Sequence, residues 1–191
     1  MFSALPVQAT LEAVIAGGVA LWDVHHLLPR HKTLRYEARV GAIRRVYVHH
    51  SGALGAAGYP GALASARYSV GEDFPGAAYH YWIPAETLRD PYGRLVVLRL
   101  NDDRTRCWHT GRAANHHGVG VALQGDTTAA PLTTSHEECL EALLPWLRER
   151  HQLGPAWMSW HAEADRFGGK PKPTCPGKHA EAWLTAYRDR A

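Results

Sequence analysis

The sequence predicts an α/β fold in a single domain, with a central, mostly mixed β-sheet flanked by helices and an N-terminal helical extension. Two observations favour this class. Short segments of β-branched and aromatic residues recur along the chain, and segments with helical spacing of apolar residues alternate with them. We divide the 191 residues into the extension, residues 1–40, and a main domain, residues 41–191.

The extension contains an apolar stretch that predicts a helix from about Thr10 to Leu21, weakened by Gly17 and Gly18. This stretch is too short to span a bilayer, and no Lys or Arg precedes Arg30. We therefore expect no membrane span and no recognisable signal peptide, and hence synthesis in the cytoplasm.

Five later segments have the composition of strands. They are residues 46–50, 78–83, 95–100, 118–123 and 157–161. The turn residues at 90–93 precede the third of these segments and predict a hairpin. The fourth is apolar throughout, which indicates a central strand.

Three helices are predicted, over residues 61–68, from Thr134 to about His151, and over residues 178–188. Thr134 and Glu137 have the spacing of a capping box for the long helix. Its apolar residues form one stripe, which consists of Cys139, Leu140, Leu143, Leu144 and Leu147. Cys139 is therefore predicted to be a core residue.

Composition limits the functional classes. The formal net charge of +3 is too small to indicate nucleic acid, and we predict no such partner. Three cysteines without a CxxC pair argue against a disulfide framework. Thirteen histidines, including three adjacent pairs, point to metal or acid–base chemistry.

Three side chains form a candidate metal site. Catalytic zinc takes three protein ligands and keeps its fourth position open. His49 ends the first strand of the main domain, His161 ends the last, and Cys175 lies in a loop with proline on both sides. Taken singly, a strand-end histidine usually bonds a backbone carbonyl and a lone cysteine is usually a small core residue.

The order of the motifs resembles the zinc amidases of the peptidoglycan recognition protein superfamily, in particular the phage lysozyme-type amidases. The matching motifs are VYVHHS at 46–51, AYHY at 78–81, WHT at 108–110, Asn115, GVGV at 118–121, His161 and CPG at 175–177. The resemblance covers residues 43 to 190 and implies a peptidoglycan recognition protein-like fold.

The resemblance implies Zn²⁺ as the cofactor, with His49, His161 and Cys175 as its ligands. It also implies that Tyr79 faces the zinc and polarises the substrate carbonyl. Relatives carry a lysine two residues before the third ligand, where this chain has Pro173. Lys172 either takes that lysine's role in protonating the leaving amine or is a solvated loop charge.

Two further features depart from the pattern of the relatives. The loop between His161 and Cys175 is longer than is typical, and Ala122 stands where relatives often carry a glutamate.

The resemblance also places Trp108, His109, Thr110 and Asn115 on the wall of a substrate groove, although Trp108 alone is equally explained as a core residue. Strand alternation turns His50 away from the metal, either to pack or to donate a hydrogen bond beside the site. We count His50 with the substrate-binding residues.

The predicted activity is hydrolysis of the amide between N-acetylmuramic acid and L-alanine in bacterial peptidoglycan, by a monomeric phage or prophage endolysin. Such an enzyme would act on the wall after release from the cell or from outside, with the glycan strand and stem peptide as its partner. One alternative is a non-catalytic recognition module, but those members typically lose the cysteine ligand. A cytoplasmic recycling amidase and a zinc-stabilised interaction protein are the others.

Overall fold

The computed structural model describes residues 5–53, 55–56, 58–111 and 113–190. Within these residues, seven strands form one sheet in the order β1-β2-β5-β4-β6-β3-β7. The strands are β1 Thr10–Val14, β2 Ala20–Asp23, β3 Arg45–His50, β4 Tyr81–Ile83, β5 Val96–Arg99, β6 Gly118–Leu123 and β7 Met158–Trp160. The α-helices are α1 Gly58–Gly71, α2 Ala114–His117, α3 Thr134–Arg150 and α4 Lys178–Arg190.

The sheet is mixed, as predicted. Strand β3 pairs in parallel with β6 on one side and with β7 on the other. Strand β4 pairs in parallel with β6 and antiparallel with β5, and β2 pairs in parallel with β5. Because β3, β6 and β7 run in one direction, their carboxyl ends meet at one edge of the sheet.

The predicted N-terminal helix is wrong. Residues 10–14 and 20–23 are the antiparallel strands β1 and β2 instead. Gly17 and Gly18 adopt φ angles of 66° and 73°, in the left-handed region that interrupts a helix and suits a tight reversal. Leu21 is fully buried because β2 pairs with β5 inside the same sheet. The segment is therefore part of the sheet and not a helical extension.

Helices cover both faces of the sheet. Strand side chains alternate between the two faces, so each face presents its own apolar layer to the helices. The face covered by α3 and α4 is an apolar layer that includes Val48 and Val121. The opposite face carries Trp82 and Ala122 and packs against α1 through Ala62. His49 follows Val48, so its side chain lies on the α1 face.

Helix α3 confirms the predicted span and stripe. Every member of the stripe is buried, Cys139 included, and the predicted core role of Cys139 is confirmed. The capping box lies one residue earlier than predicted. The Thr133 side chain accepts from the backbone of His136 at 3.2 Å, and the ring of His136 bonds the backbone of Thr133. A histidine thus replaces the expected glutamate.

Other boundaries differ by a few residues. Helix α1 is longer than the predicted residues 61–68, and α4 continues to Arg190. Strand β4 begins at Tyr81, so Tyr79 lies in the segment that leads into it. Strand β7 ends at Trp160, and His161 begins a 3₁₀ segment, His161–Phe167. Among the described residues, no helix combines the length and apolar character that a membrane crossing requires.

Candidate metal centre and groove

The side chains of His49, His161 and Cys175 meet at the edge where β3 and β7 end. Val48 and Trp160 are register partners on these two parallel strands, so the histidine that follows each of them lies beside the other. The Nδ1 atom of His49 is 3.2 Å from Nδ1 of His161 and 3.7 Å from Sγ of Cys175. One donor atom from each of the three residues lies within 4.8 Å of the other two.

This spacing fits a single zinc ion. A tetrahedral zinc with ordinary bond lengths holds two nitrogen ligands about 3.3 Å apart and a nitrogen and a sulfur about 3.6 Å apart. The two distances from Nδ1 of His49 agree with these values to about 0.1 Å. Two imidazoles and a thiolate are also ligands that zinc prefers, and three of them leave one position open. The trio could therefore hold a metal ion.

Burial sets the protonation of the trio. It lowers the pKa of His49 well below the ordinary value, and the neighbouring His161 lowers it further. Burial and the charge of Lys172 lower the pKa of His161 to about 4. Burial raises the pKa of the Cys175 thiol to about 11, against a hydrogen bond from the His50 backbone. Both imidazoles are thus neutral at pH 7, as ligands must be, whereas the thiol needs a cation to lose its proton.

The cysteine loop is fixed by backbone hydrogen bonds. The N–H of Cys175 donates to the carbonyl of Lys172, and the carbonyl of Cys175 accepts from Ala162, both at 2.9 Å. Gly177 has a φ of 91°, and a Cβ there would lie 2.5 Å from the backbone carbon of Thr127. Only glycine allows this approach, which holds the loop against the chain after β6.

A cavity of about 550 Å³ opens beside the trio. From α1 it is lined by Gly61, Ala64, Ser65 and Tyr68, and from the predicted site residues by His50, Tyr79, Trp108, His109, His161 and Lys172. The cavity lies on the α1 face of the sheet, which is the face that His49 occupies. Of the trio, His161 lines the cavity, so a small solute there would reach the candidate metal site from its His161 side.

Tyr79 lies beside the first histidine of the trio. Its ring centroid is 5.2 Å from that of His49, and it lines the cavity. Burial raises the pKa of its phenol, so the group keeps its proton at neutral pH and is a hydrogen-bond donor.

Lys172 is exposed and also lines the cavity. Its backbone N–H donates to the carbonyl of His161 at 3.2 Å, which ties it to the second histidine of the trio. Its positive charge contributes to the lowered pKa values of His49, His50 and His161. The structure thus places a cationic side chain at the opening, close enough to influence the trio.

His50 points to the other side of β3 from His49. Its Nδ1 atom accepts a hydrogen bond from the backbone N–H of Thr127 at 3.2 Å and lies 3.6 Å from a carboxylate oxygen of Asp126. His50 is also among the residues that line the cavity. His50 therefore connects the loop after β6 to the metal edge.

Thr110 and Asn115 do not line the cavity. Both are buried, and the amide oxygen of Asn115 accepts hydrogen bonds from the backbone and hydroxyl of Thr110 and from the backbone of Gly111. Their side chains hold the loop that carries Trp108 and His109. Trp108 packs against Phe74 with ring centroids 5.3 Å apart, and both rings line the cavity.

His109 is only 4% exposed, and both of its ring nitrogens have partners. Nδ1 lies 3.1 Å from Nε2 of His49, and Nε2 lies 3.1 Å from the carbonyl oxygen of Gly118. Burial lowers its pKa well below the ordinary value. His109 thus contacts a predicted metal ligand directly, a relationship that the sequence analysis did not anticipate.

Arg39 was also missed. Its guanidinium donates to the carbonyl oxygens of Asp103, Thr105, Asn115 and Gly118. It thereby joins the loops behind the metal edge. In the sequence it belongs to a basic connector, and no local pattern distinguishes it from the solvated arginines beside it.

The fold and the site define a class: an α/β domain with a histidine–histidine–cysteine trio at one sheet edge, beside a groove. The sequence model of the Amidase_2 family, N-acetylmuramoyl-L-alanine amidase, matches residues 39–178. The chain belongs to this family, and with it to the type 2 amidase and peptidoglycan recognition protein superfamily. No curated protein matches the sequence.

Solved structures share the fold. Drosophila PGRP-LB superposes with a TM-score of 0.66 at 15% identity, covering 88% of this chain and 94% of its own. The Ph2119 endolysin from a Thermus scotoductus bacteriophage gives 0.57 at 19%, covering 77% and 85%. The amidase LysC from Clostridium intestinale gives 0.57 at 14%, covering 76% and 87%. At these identities the likeness establishes the fold.

Proposed function

We propose that this protein is a zinc-dependent N-acetylmuramoyl-L-alanine amidase that cleaves the amide between N-acetylmuramic acid and L-alanine in peptidoglycan. The observation that carries the proposal is the spacing of His49, His161 and Cys175, which suits one zinc ion at the end of a cavity. Membership of the amidase family supports the reaction class. Retention of Cys175 favours an enzyme over a recognition module, because recognition modules typically lose this ligand.

In the proposed hydrolysis, the zinc ion and the residues of the chain have separate roles. Bound zinc supplies Lewis-acid polarisation and activation of the attacking water. The phenol of Tyr79 donates a hydrogen bond to the carbonyl oxygen as negative charge develops on it. Its raised pKa keeps that proton in place throughout the working pH range.

Lys172 is the proposed proton donor to the leaving amine. Among the described residues that line the cavity, it is the only amine. The amide nitrogen is a poor leaving group until it is protonated, so an ammonium group at the opening suits this step. The alternative is a solvated loop charge that tunes the histidines without touching the substrate.

The proposed partner is the glycan strand with its stem peptide. The named endolysin among the structural relatives supports a phage or prophage role, in which the enzyme reaches the wall after release or from outside. A mutant of Drosophila PGRP-LB has been solved with tracheal cytotoxin, so this fold can hold a ligand.

A recognition module is the second candidate, because the Drosophila peptidoglycan recognition proteins SD and SA are among the solved structures that share the fold. Mass analysis of purified sacculi after incubation decides between the candidates. The amidase releases free stem peptides and leaves intact glycan strands. A chelator abolishes the release and added zinc restores it. If zinc-loaded protein bound sacculi but released no peptides, recognition would replace hydrolysis.

The same assay separates an endolysin from a recycling amidase. An endolysin cleaves intact sacculi at least as well as soluble anhydro-muropeptides, whereas a recycling enzyme acts on the soluble fragments alone.

A further inference from the structure

A chain of hydrogen bonds extends inward from the first histidine of the trio. Nε2 of His49 lies 3.1 Å from Nδ1 of His109, and Nε2 of His109 lies 3.1 Å from the carbonyl oxygen of Gly118. The same oxygen accepts from Nη2 of Arg39 at 2.9 Å. These hydrogen bonds begin at Nε2 of His49, whereas Nδ1 is the atom nearest to His161 and Cys175.

The chemistry of the end groups fixes the direction of each hydrogen bond. A carbonyl oxygen can only accept, so Nε2 of His109 must carry a proton. A neutral imidazole has one N–H, which leaves Nδ1 of His109 as an acceptor. Nε2 of His49 must then be the donor. With its proton on Nε2, His49 has a free lone pair on Nδ1, the atom that points at the other two ligands.

We propose that His109 is a positioning residue that selects the metal-binding tautomer of His49, with Gly118 and Arg39 fixing the direction of the hydrogen bonds. The inference rests on the proposed function to the extent that it takes His49 as a zinc ligand. It departs from the expectation that His109 contacts substrate, because both of its ring nitrogens are already engaged.

The packing around His109 prevents the ring from reversing these roles. A Cβ on Gly120 would lie 2.7 Å from Cγ of His109, so β6 presents bare backbone against the ring. The rings of His49 and His109 meet edge to face, with centroids 5.2 Å apart and planes at 84°. Next to it, Nδ1 of His80 accepts from the backbone N–H of Gly120 at 3.0 Å. A flipped His109 would face the Gly118 carbonyl with a carbon atom.

The direct test is the tautomer of His49 in zinc-free protein, read from long-range proton–nitrogen correlation spectra. We expect the proton of His49 on Nε2, and that of His109 on Nε2 as well. A proton on Nδ1 of His49 in the wild-type chain would overturn the inference. This measurement needs neither substrate nor turnover.

Two substitutions give a second readout. His109→Gln keeps an acceptor and a donor, whereas His109→Phe keeps the ring shape and loses both. We expect His109→Phe to weaken zinc binding about 10- to 100-fold in a chelator competition and to shift the His49 tautomer population. His109→Gln should retain most of the affinity. His116→Gln, at a half-buried histidine outside both groups of residues that could hold a metal ion, is the matched control and should leave affinity unchanged.

The outcomes separate the two proposals. If wild-type protein binds no zinc, the proposed function fails, while the tautomer measurement still decides the present inference. If wild-type protein binds zinc and His109→Phe binds it equally well, the positioning role is wrong and the proposed function stands. If the Gln and Phe variants lost zinc affinity equally, His109 would act through packing alone, and this result would also overturn the positioning role. Should His109→Phe not fold, the wild-type tautomer and His109→Gln decide the matter.

Discussion

The Nδ1 atoms of His49 and His161 lie 3.2 Å apart, because the two residues follow register partners on adjacent parallel strands. The buried sulfur of Cys175 is 3.7 Å from Nδ1 of His49, and one donor atom of each of the three residues lies within 4.8 Å of the other two. Burial opposes a positive charge on either ring; the neighbouring His161 further lowers the pKa of His49, and the charge of Lys172 further lowers that of His161. A bound cation would use all three donors at once. The protons released when it binds therefore report how many of the three side chains were protonated beforehand.

Zinc binding should release about one proton near pH 6, below the pKa of about 7 that a zinc-bound water has. The histidines are already neutral there, since the pKa of His161 is about 4 and that of His49 is far below its usual value. The thiol of Cys175, with a pKa of about 11, is still protonated and must lose its proton to bind. Zinc affinity should therefore rise about tenfold per pH unit between about pH 5 and 6.5, and more steeply above about pH 7, where the bound water also loses a proton.

Calorimetry in two buffers of different ionisation enthalpy measures this proton release. A release near zero at pH 6 would show that Cys175 does not bind as a thiolate. A release of two or more at this pH, where a zinc-bound water keeps its protons, would contradict the neutral histidines.

Cys175→Ser should keep the fold but lose both zinc and turnover, because a hydroxyl is a far weaker zinc ligand than a thiolate. Zinc content by mass spectrometry and unfolding by circular dichroism report the two properties separately. Cys139→Ala is the matched control, in the core of α3. It should cost about 1 kcal/mol of stability and retain zinc. Full activity of Cys175→Ser would rule out the ligand assignment.

Tyr79→Phe should bind zinc normally and lose about 2 to 4 kcal/mol of transition-state stabilisation, seen mainly as a lower kcat. The reason is the loss of the phenol proton beside the reacting carbonyl, with the ring left in place. Tyr68→Phe is the control, since Tyr68 lines the same cavity but is 70% exposed on α1. Its kcat should stay near the wild-type value. A wild-type kcat for Tyr79→Phe would remove the phenol from the mechanism.

Lys172→Met should lower kcat by about 10²-fold or more if the ammonium protonates the leaving amine, and should change the alkaline side of the pH–rate profile. Lys170→Met, at another exposed lysine of the same loop, should have little effect. The pKa of His161 should rise in Lys172→Met, because the lysine charge contributes to lowering it. If that pKa rises while kcat and the pH profile stay unchanged, Lys172 is only a solvated charge.

Local sequence patterns correctly predicted the strands and helices that are determined by their own residues. Strand β6 occupies the predicted residues 118–123, and α3 carries the predicted apolar stripe, because composition and periodicity act within one segment. The grouping of His49, His161 and Cys175 could also be predicted from the sequence. Two strand-end histidines can be placed together once the strands are known to be parallel and adjacent.

The features that the sequence did not predict depend on partners far away along the chain. Strand β2 pairs with β5, more than 70 positions later in the chain, and this pairing overrides the helical interpretation of an apolar run. The role of His109 requires a carbonyl oxygen on Gly118 and a guanidinium from Arg39. Backbone carbonyls leave no trace in a sequence, and the family resemblance implied a residue of the groove wall instead.

A substitution in the reversal between β1 and β2 tests the hairpin against a helix. The two structures predict opposite changes in the free energy of unfolding. Gly17 has a φ of 66°, and no atom lies within 4 Å of the place that a Cβ would occupy, so Gly17→Ala would suffer backbone strain without a clash. It should lower the free energy of unfolding by about 1 kcal/mol, whereas an alanine inside a helix would raise it. Gly71→Ala, at the end of α1 and equally open, should be neutral or stabilising by up to about 1 kcal/mol. Chemical denaturation of the two variants measures both effects, and stabilisation by Gly17→Ala would argue for a helix in place of the hairpin.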